Sequence, residues 1–401
     1  MNVELGGPTP SRRDFLAVSA MGVLGLATAA SGLSRRAPSP ADGALLFVGT
    51  YTEGKRTEGI HLVRLDARTG ALGLTTSVDA GPEPSFIALH PNGRVLYAVN
   101  EVMERGGIAT GSLRAFAIAG DAGELTLLDE QLSEGSAPCY VSLDAAGRVA
   151  LVANYMGGNV AVLPIQPDGS LASASHVVQH IGTGPDAARQ EAAHAHCAMV
   201  DPSNRFVLAA DLGVDRVLVY RLDAEAGSLR HLETADAVMR PGSGPRHLAF
   251  HPTRPLVYVA NELDSTVTTL SFDSPSGKLS ALDTRSTLPS GWTGTNYPAD
   301  IHVASSGRSL YVSNRGHNSI AVFRLAESTG VPTFEQATST EGDWPRNFAL
   351  DPTERWLLVA NQRSDSIIVF ARDPESGRLT PTRQRMSVPS PVCLRFRDPA
   401  R

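Results

Sequence analysis

One phrase recurs along this chain of 401 residues and limits what it can fold into. An apolar strand introduced by Pro or Ala runs into a turn usually built on Gly or Pro, and a second apolar strand closes on Asn or Asp. The copies PSFIALHPNGRVLYAVN and PRHLAFHPTRPLVYVAN end at Asn100 and Asn261, and others end at Asn154, Asp211, Asn314 and Asn361. The spacing between successive ends is therefore 47 to 57 residues. A unit of that length cannot bury its apolar face alone and must stack on its own copies, in a solenoid or a propeller. Each phrase is followed by outer strands such as SLRAFAIA, DRVLVYRLD and DSIIVFARD, which gives four strands per period, the content of a propeller blade.

The two ends of the chain set the number of blades. After the sixth phrase VPSPVCLRF offers an inner strand with no successor, and ALLFVGTYT near the start offers a second strand with no predecessor. Pairing Pro391–Phe396 beside residues 45–50 makes a seventh blade and removes the open edge between first and last. The expectation is an all-β, seven-bladed β-propeller over residues 44–401, with four-stranded blades and a ring closed by the N- and C-terminal strands sharing one blade. The 37 Gly and 27 Pro, interspersed with short Val/Leu/Tyr runs, agree with that class.

Residues 1–30 carry a different pattern. Arg12 and Arg13 sit in SRRDFL, ahead of a weakly apolar run over 17–30 that contains small residues at 27–29. The expectation is a twin-arginine signal peptide, followed by a linker over 31–43. The apolar run is too short to span a bilayer, so export to the periplasm or beyond is expected, with no stable membrane insertion after cleavage. A net charge of −6 with no basic stripe excludes a nucleic-acid partner. Cys139, Cys197 and Cys393 form neither a CxxC pair nor a metal spacing and read as packed thiols. A monomer is the expected state.

Hairpin geometry brings the start of each inner strand and the end of the next strand to one mouth of the central channel. Registering the phrases by their turns aligns Ser85, Cys139, His196, Arg246, Ala299, Arg346 and Val392, and then Phe86, Tyr140, Cys197, His247, Asp300, Asn347 and Cys393. The residues just after the Asn or Asp add Tyr51, Glu101, Tyr155, Leu212, Glu262, Arg315 and Gln362. One position deeper than the second set the strands turn apolar. Arginines and histidines facing one channel mouth make an anion pocket, since guanidinium forks fit carboxylate or phosphate.

With these motifs on view, the chain resembles the seven-bladed lactonase propellers, which include bacterial 6-phosphogluconolactonase of the propeller type and fungal carboxy-muconate cyclase. The resemblance spans residues 45–396 and rests on LFVGTYT, AHAHCAMVDP, GPRHLAFHPTRPLVYVANEL, PADIHVASSGRSLYVSNRG and WPRNFALDP. It implies four catalytic residues: His196, with His194 beside it; Arg246 of GPRH; Glu262 after the VAN strand; and Arg315 after the later strand. The registration of the repeats places the same four at one mouth. His194, His247, Asp300, His302, Arg346, Asn347 and Glu101 are then the candidate substrate-binding residues. Residues 186–193 depart from the family, being rich in Ala and charge where relatives often carry prolines.

These groups suffice for opening a lactone. A base activates water and fixed guanidiniums stabilise the oxyanion, with His196 or Glu262 as base and Arg246 and Arg315 as clamps. No cofactor is expected. The His-x-His of His194 and His196 hints at zinc, but the two rings are expected on opposite faces, and no metal is expected. Because sugar phosphates are confined to the cytoplasm, an exported enzyme of this kind would take an unphosphorylated aldonolactone. A non-catalytic binding propeller and a lactone-forming muconate-type cyclase are the alternatives.

Overall fold

Each repeated phrase folds as an antiparallel hairpin, because two apolar runs of about six residues flank a tight turn, which in five of the six copies uses a positive φ. That position is filled by Gly93, Gly147 and Gly307 in three copies, and by Asn204 and Glu354 in two others. The structure is a computed structural model that describes residues 43–53 and 58–397. The expected leader and all but the last residue of the expected linker lie outside the described residues.

Seven antiparallel sheets form seven blades. Six have four strands, and the sheet built on Ala195–Val200 adds a short fifth, Ala237–Val238. The innermost strand of each blade touches those of both neighbours, so the blades close a ring. Closure follows the expected route: Pro391–Phe396 pairs antiparallel with Gly43–Thr50, setting Leu394 opposite Val48 and Phe396 opposite Leu46.

This seam is dry. Leu394, Val48 and Leu46 are fully buried with Leu358, Ala360 and Ile367 of the preceding blade. Leu394→Ala is expected to lower the unfolding free energy by about 2–5 kcal/mol, the usual cost of emptying a buried leucine site. Urea denaturation checks this, and a loss below about 1 kcal/mol would place the seam outside the cooperative unit.

The recurring Asn proves to be a structural staple. Asn100 donates Nδ2 to the carbonyls of Ala80 (2.9 Å) and Pro82 (2.7 Å), Asn154 to Ser133 (2.7 Å), Asn314 to Thr287 (2.9 Å) and Asn361 to Thr340 (3.1 Å). Each ties the end of a strand to an incoming connection whose backbone would otherwise be unsatisfied. Asp211 inverts the device and accepts from the amides of His194 (2.7 Å) and Gly213 (2.9 Å).

Candidate functional site

The innermost strands reach the channel mouth through a shared irregularity. In five blades one or two extra residues interrupt the ladder just after the leading Pro or Ala: Cys139, His196, Arg246, Ala299 with Asp300, and Arg346. The closing blade does the same at Val392. A bulge leaves its extra residue out of the ladder and re-aims the side chain. Six of the seven residues aligned by the repeat are thus bulge residues, Ser85 being the exception, and Cys139, Arg246, Arg346 and Val392 turn into the mouth.

Glu262 is the centre of the charge cluster. Its Oε2 lies 2.6 Å from Arg315 Nη2 and 3.0 Å from Arg246 Nε, and its Oε1 lies 2.5 Å from Arg189 Nη2. Burial alone would raise this carboxyl, but the guanidiniums of Arg315, Arg246 and Arg189 outweigh it and hold the group ionised, well below the usual carboxylate range. Arg246 is fixed again through Nη1, which donates to the Ala299 carbonyl (2.6 Å) and to His247 Nε2 (3.2 Å).

His247 is in turn held by Asp300, which accepts from His247 Nδ1 (2.9 Å), His302 Nε2 (2.9 Å) and Asn347 Nδ2 (2.5 Å). Burial and the neighbouring Arg246 push His247 down to about 3, so it is a neutral ring with Nε2 free to accept. A second network joins three blades: Tyr51 (2.8 Å) and Ser85 donate to Glu101 Oε2, and Arg346 donates to the Tyr51 hydroxyl (2.8 Å). Burial, ahead of Arg246, His247 and Arg346, holds His196 well below the ordinary imidazole value, so it too is neutral. Its Nδ1 is 3.6 Å from Cys139 Sγ, and its ring stands edge-on to His247 at 5.3 Å.

A narrow cavity of about 10 Å³, room for roughly one water molecule, is lined by Ser85, Glu101, Cys139, Arg246, Arg346 and Asn347, with His247, Phe86 and Val392. His196, Glu262 and Arg315 adjoin it through Cys139 and Arg246. The four residues expected to be catalytic therefore converge, and of the seven expected to bind substrate Glu101, His247, Arg346 and Asn347 line the cavity directly. Asp300 stands behind His247. Two others act elsewhere. His194 faces a loop, with Nδ1 on the Tyr155 carbonyl (3.0 Å) and Nε2 on Glu191 (3.1 Å), and His302 lies two residues deeper in the channel as a support for Asp300.

The expectation that His194 and His196 point to opposite faces has no basis in strand alternation, because residues two apart in a strand share a face and here His194 precedes the strand while His196 is its bulge residue. Both rings pack on Tyr155, His194 stacked at 4.5 Å and His196 edge-on at 5.4 Å. Among the described residues no group of three or more His, Cys, Asp or Glu side chains is arranged to hold a metal ion. The three cysteines are buried free thiols.

Sequence reasoning missed Arg189 and Trp344. Arg189 lies in a connection between blades, outside the repeat register. Trp344 is held at a φ of 65°, and its ring faces Arg315 at 5.5 Å and Arg363 at 3.5 Å. Positive φ at a bulky residue is uncommon.

A family profile described as "Lactonase, 7-bladed beta-propeller" matches residues 45–396. The 6-phosphogluconolactonase of Bacillus subtilis (strain 168) is 40% identical over 350 residues, covering 87% of this chain and 97% of that relative. The 6-phosphogluconolactonase of Formosa agariphila is 33% identical, with 86% and 96% covered. The solved structure of a periplasmic gluconolactonase from Pseudomonas aeruginosa superposes with a TM-score of 0.82 at 36% identity, covering 88% of this chain and 99% of that one. The profile spans the whole ring from one closing strand to the other, and the chain belongs to the family of seven-bladed β-propeller lactonases.

Proposed function

We propose that this chain hydrolyses the ester bond of a sugar-type lactone, and that His196, Arg246, Glu262 and Arg315 act as one unit. The observation that carries this is the division of labour around Glu262. Three guanidiniums occupy its oxygens, which leaves it a poor base and makes it the anchor that aims Arg246 and Arg315. The neutral His196 takes the role of base.

Water adds to the acyl carbon, its proton passes to the His196 imidazole, and the carbonyl oxygen becomes an oxyanion beside Arg246. The tetrahedral intermediate collapses with cleavage of the ring C–O bond. The leaving alkoxide takes the proton from His196, which yields the hydroxy acid. Low basicity at His196 is offset because the oxyanion forms beside fixed positive charge.

The substrate in this proposal is an unphosphorylated aldonolactone. Support comes from the Arg12-Arg13 leader and from the Pseudomonas aeruginosa relative, whose name is periplasmic gluconolactonase. Assay of the purified protein against a panel of lactones tests the activity, and binding of aldonates without turnover of any lactone would favour a binding module. Replacing both Arg12 and Arg13 by Lys is expected to leave full-length protein in the cytoplasm, because the export receptor reads the arginine pair and not charge alone. Fractionation and immunoblotting check it, and normal export of that variant would overturn the address.

A further inference from the structure

The connection over residues 180–194 joins His176–Gln179 to the next inner strand and is pinned from within. Gln190 is fully buried. Its Nε2 donates to the Leu212 carbonyl (2.8 Å), its Oε1 accepts from the Asp186 amide (3.2 Å), and its backbone bonds to Asp186 (2.7 Å) and Gly184 (2.9 Å). Gly184 passes so close that an added Cβ would lie 2.4 Å from the Gln190 side chain. The neighbour of Gln190 is Arg189, so a rigid loop presents this guanidinium to the mouth.

Arg189 differs from the other arginines around Glu262. Its side chain is 34% exposed, against 2% for Arg246 and 6% for Arg315. Nη2 donates to Glu262 (2.5 Å) and the Tyr155 hydroxyl (3.5 Å), and the guanidinium lies over the Tyr297 ring, 5.7 Å from its centroid. Among the described residues Nε and Nη1 donate to no protein acceptor, and the side chain is one-third exposed, so part of the fork is open to a ligand. The base and the guanidinium both pack against one tyrosine side chain, Tyr155, with His196 on its ring at 5.4 Å and Arg189 at its hydroxyl.

We propose that Arg189 is a specificity residue that recognises the exocyclic oxygen of a hexonolactone, the position that carries either a hydroxyl or a phosphate. This rests on the lactone reading above. A guanidinium suits the task because it can hold Glu262 with one nitrogen and offer the others to the substrate in a fixed plane.

The test compares the parent with Arg189→Ala and Arg189→Lys on gluconolactone, 6-phosphogluconolactone and unsubstituted δ-valerolactone. In Arg189→Ala, kcat/KM for gluconolactone relative to δ-valerolactone is expected to fall about 10- to 100-fold, mainly through KM, the scale of a lost hydrogen bond to a charged group. Lysine should recover part of it. A further selective loss on 6-phosphogluconolactone would identify the group read as phosphate, and equal losses on the two sugar lactones would identify it as hydroxyl. Equal losses on all three lactones, or none, would overturn the proposal, since Arg189 would then act only through Glu262 or not at all. Calorimetry with gluconate gives a readout independent of turnover. A parent that opens no lactone yet binds gluconate more tightly than Arg189→Ala would sink the hydrolase reading and sustain this one. Equal gluconate affinity in the two proteins would overturn this one.

Discussion

Replacing Arg246 by Ala is expected to lower kcat for lactone opening by about two to three orders of magnitude, the scale of losing one preorganised oxyanion donor. The side chain is 2% exposed and fixed at three points, by Glu262, the Ala299 carbonyl and His247 Nε2, so it pays no reorganisation when charge develops. The fold should survive, because Glu262 keeps Arg315 and Arg189 as partners. Arg246→Lys restores the charge without the fork and should recover only part of the rate. Steady-state kinetics beside thermal melts check this. A rate within threefold of the parent, from a protein that melts normally, would remove Arg246 from the chemistry.

Glu262→Ala should be the most destabilising change at the site, costing about 3–5 kcal/mol, because it leaves the buried Arg246 and Arg315 charges without their shared carboxylate. Viewed as a residue at a channel mouth, Glu262 would be expected to carry little of the packing between blades and to be removable at small cost. That expectation needs correction, since its contribution is charge compensation. The pH dependence follows from the sign of the shift. The folded carboxyl lies below its ordinary value of 4.5, so its stabilisation is complete above that value and drains away as the pH falls below it. The urea midpoints of the parent and Glu262→Gln should therefore be well separated at neutral pH and draw together in acid. Midpoints that coincide at neutral pH would show that the three guanidiniums do not depend on Glu262.

The architecture was legible because its signals are local and repeated. Strand alternation, the turn position at Gly93 or Gly147, and the unpaired strands at the two ends each need only neighbouring residues to be understood, and seven copies correct one another's noise. The mouth was legible for the same reason, since six of the seven blades carry a bulge at the same repeat position. The closing Asn was visible but was read as a polar end, while its carbonyl partners lie some 20 residues away in sequence.

Whatever depends on distance through space was not legible. Arg189 meets Glu262 across 73 residues from a connection that belongs to no repeat, and its loop is shaped by a buried glutamine that no periodicity marks. His196 and Glu262 stood as equal candidates for the base, because ionisation is set by burial and by charges on other blades. Three converging guanidiniums occupy Glu262, which in the proposed mechanism leaves that role to His196. The sequence by itself determined the ring, its closure and the face on which function sits, because backbone pairing and side-chain alternation are fixed by residue order. Only the tertiary structure decided which charges meet and which protons are held there, because desolvation and Coulomb energies depend on distances that residue order does not contain.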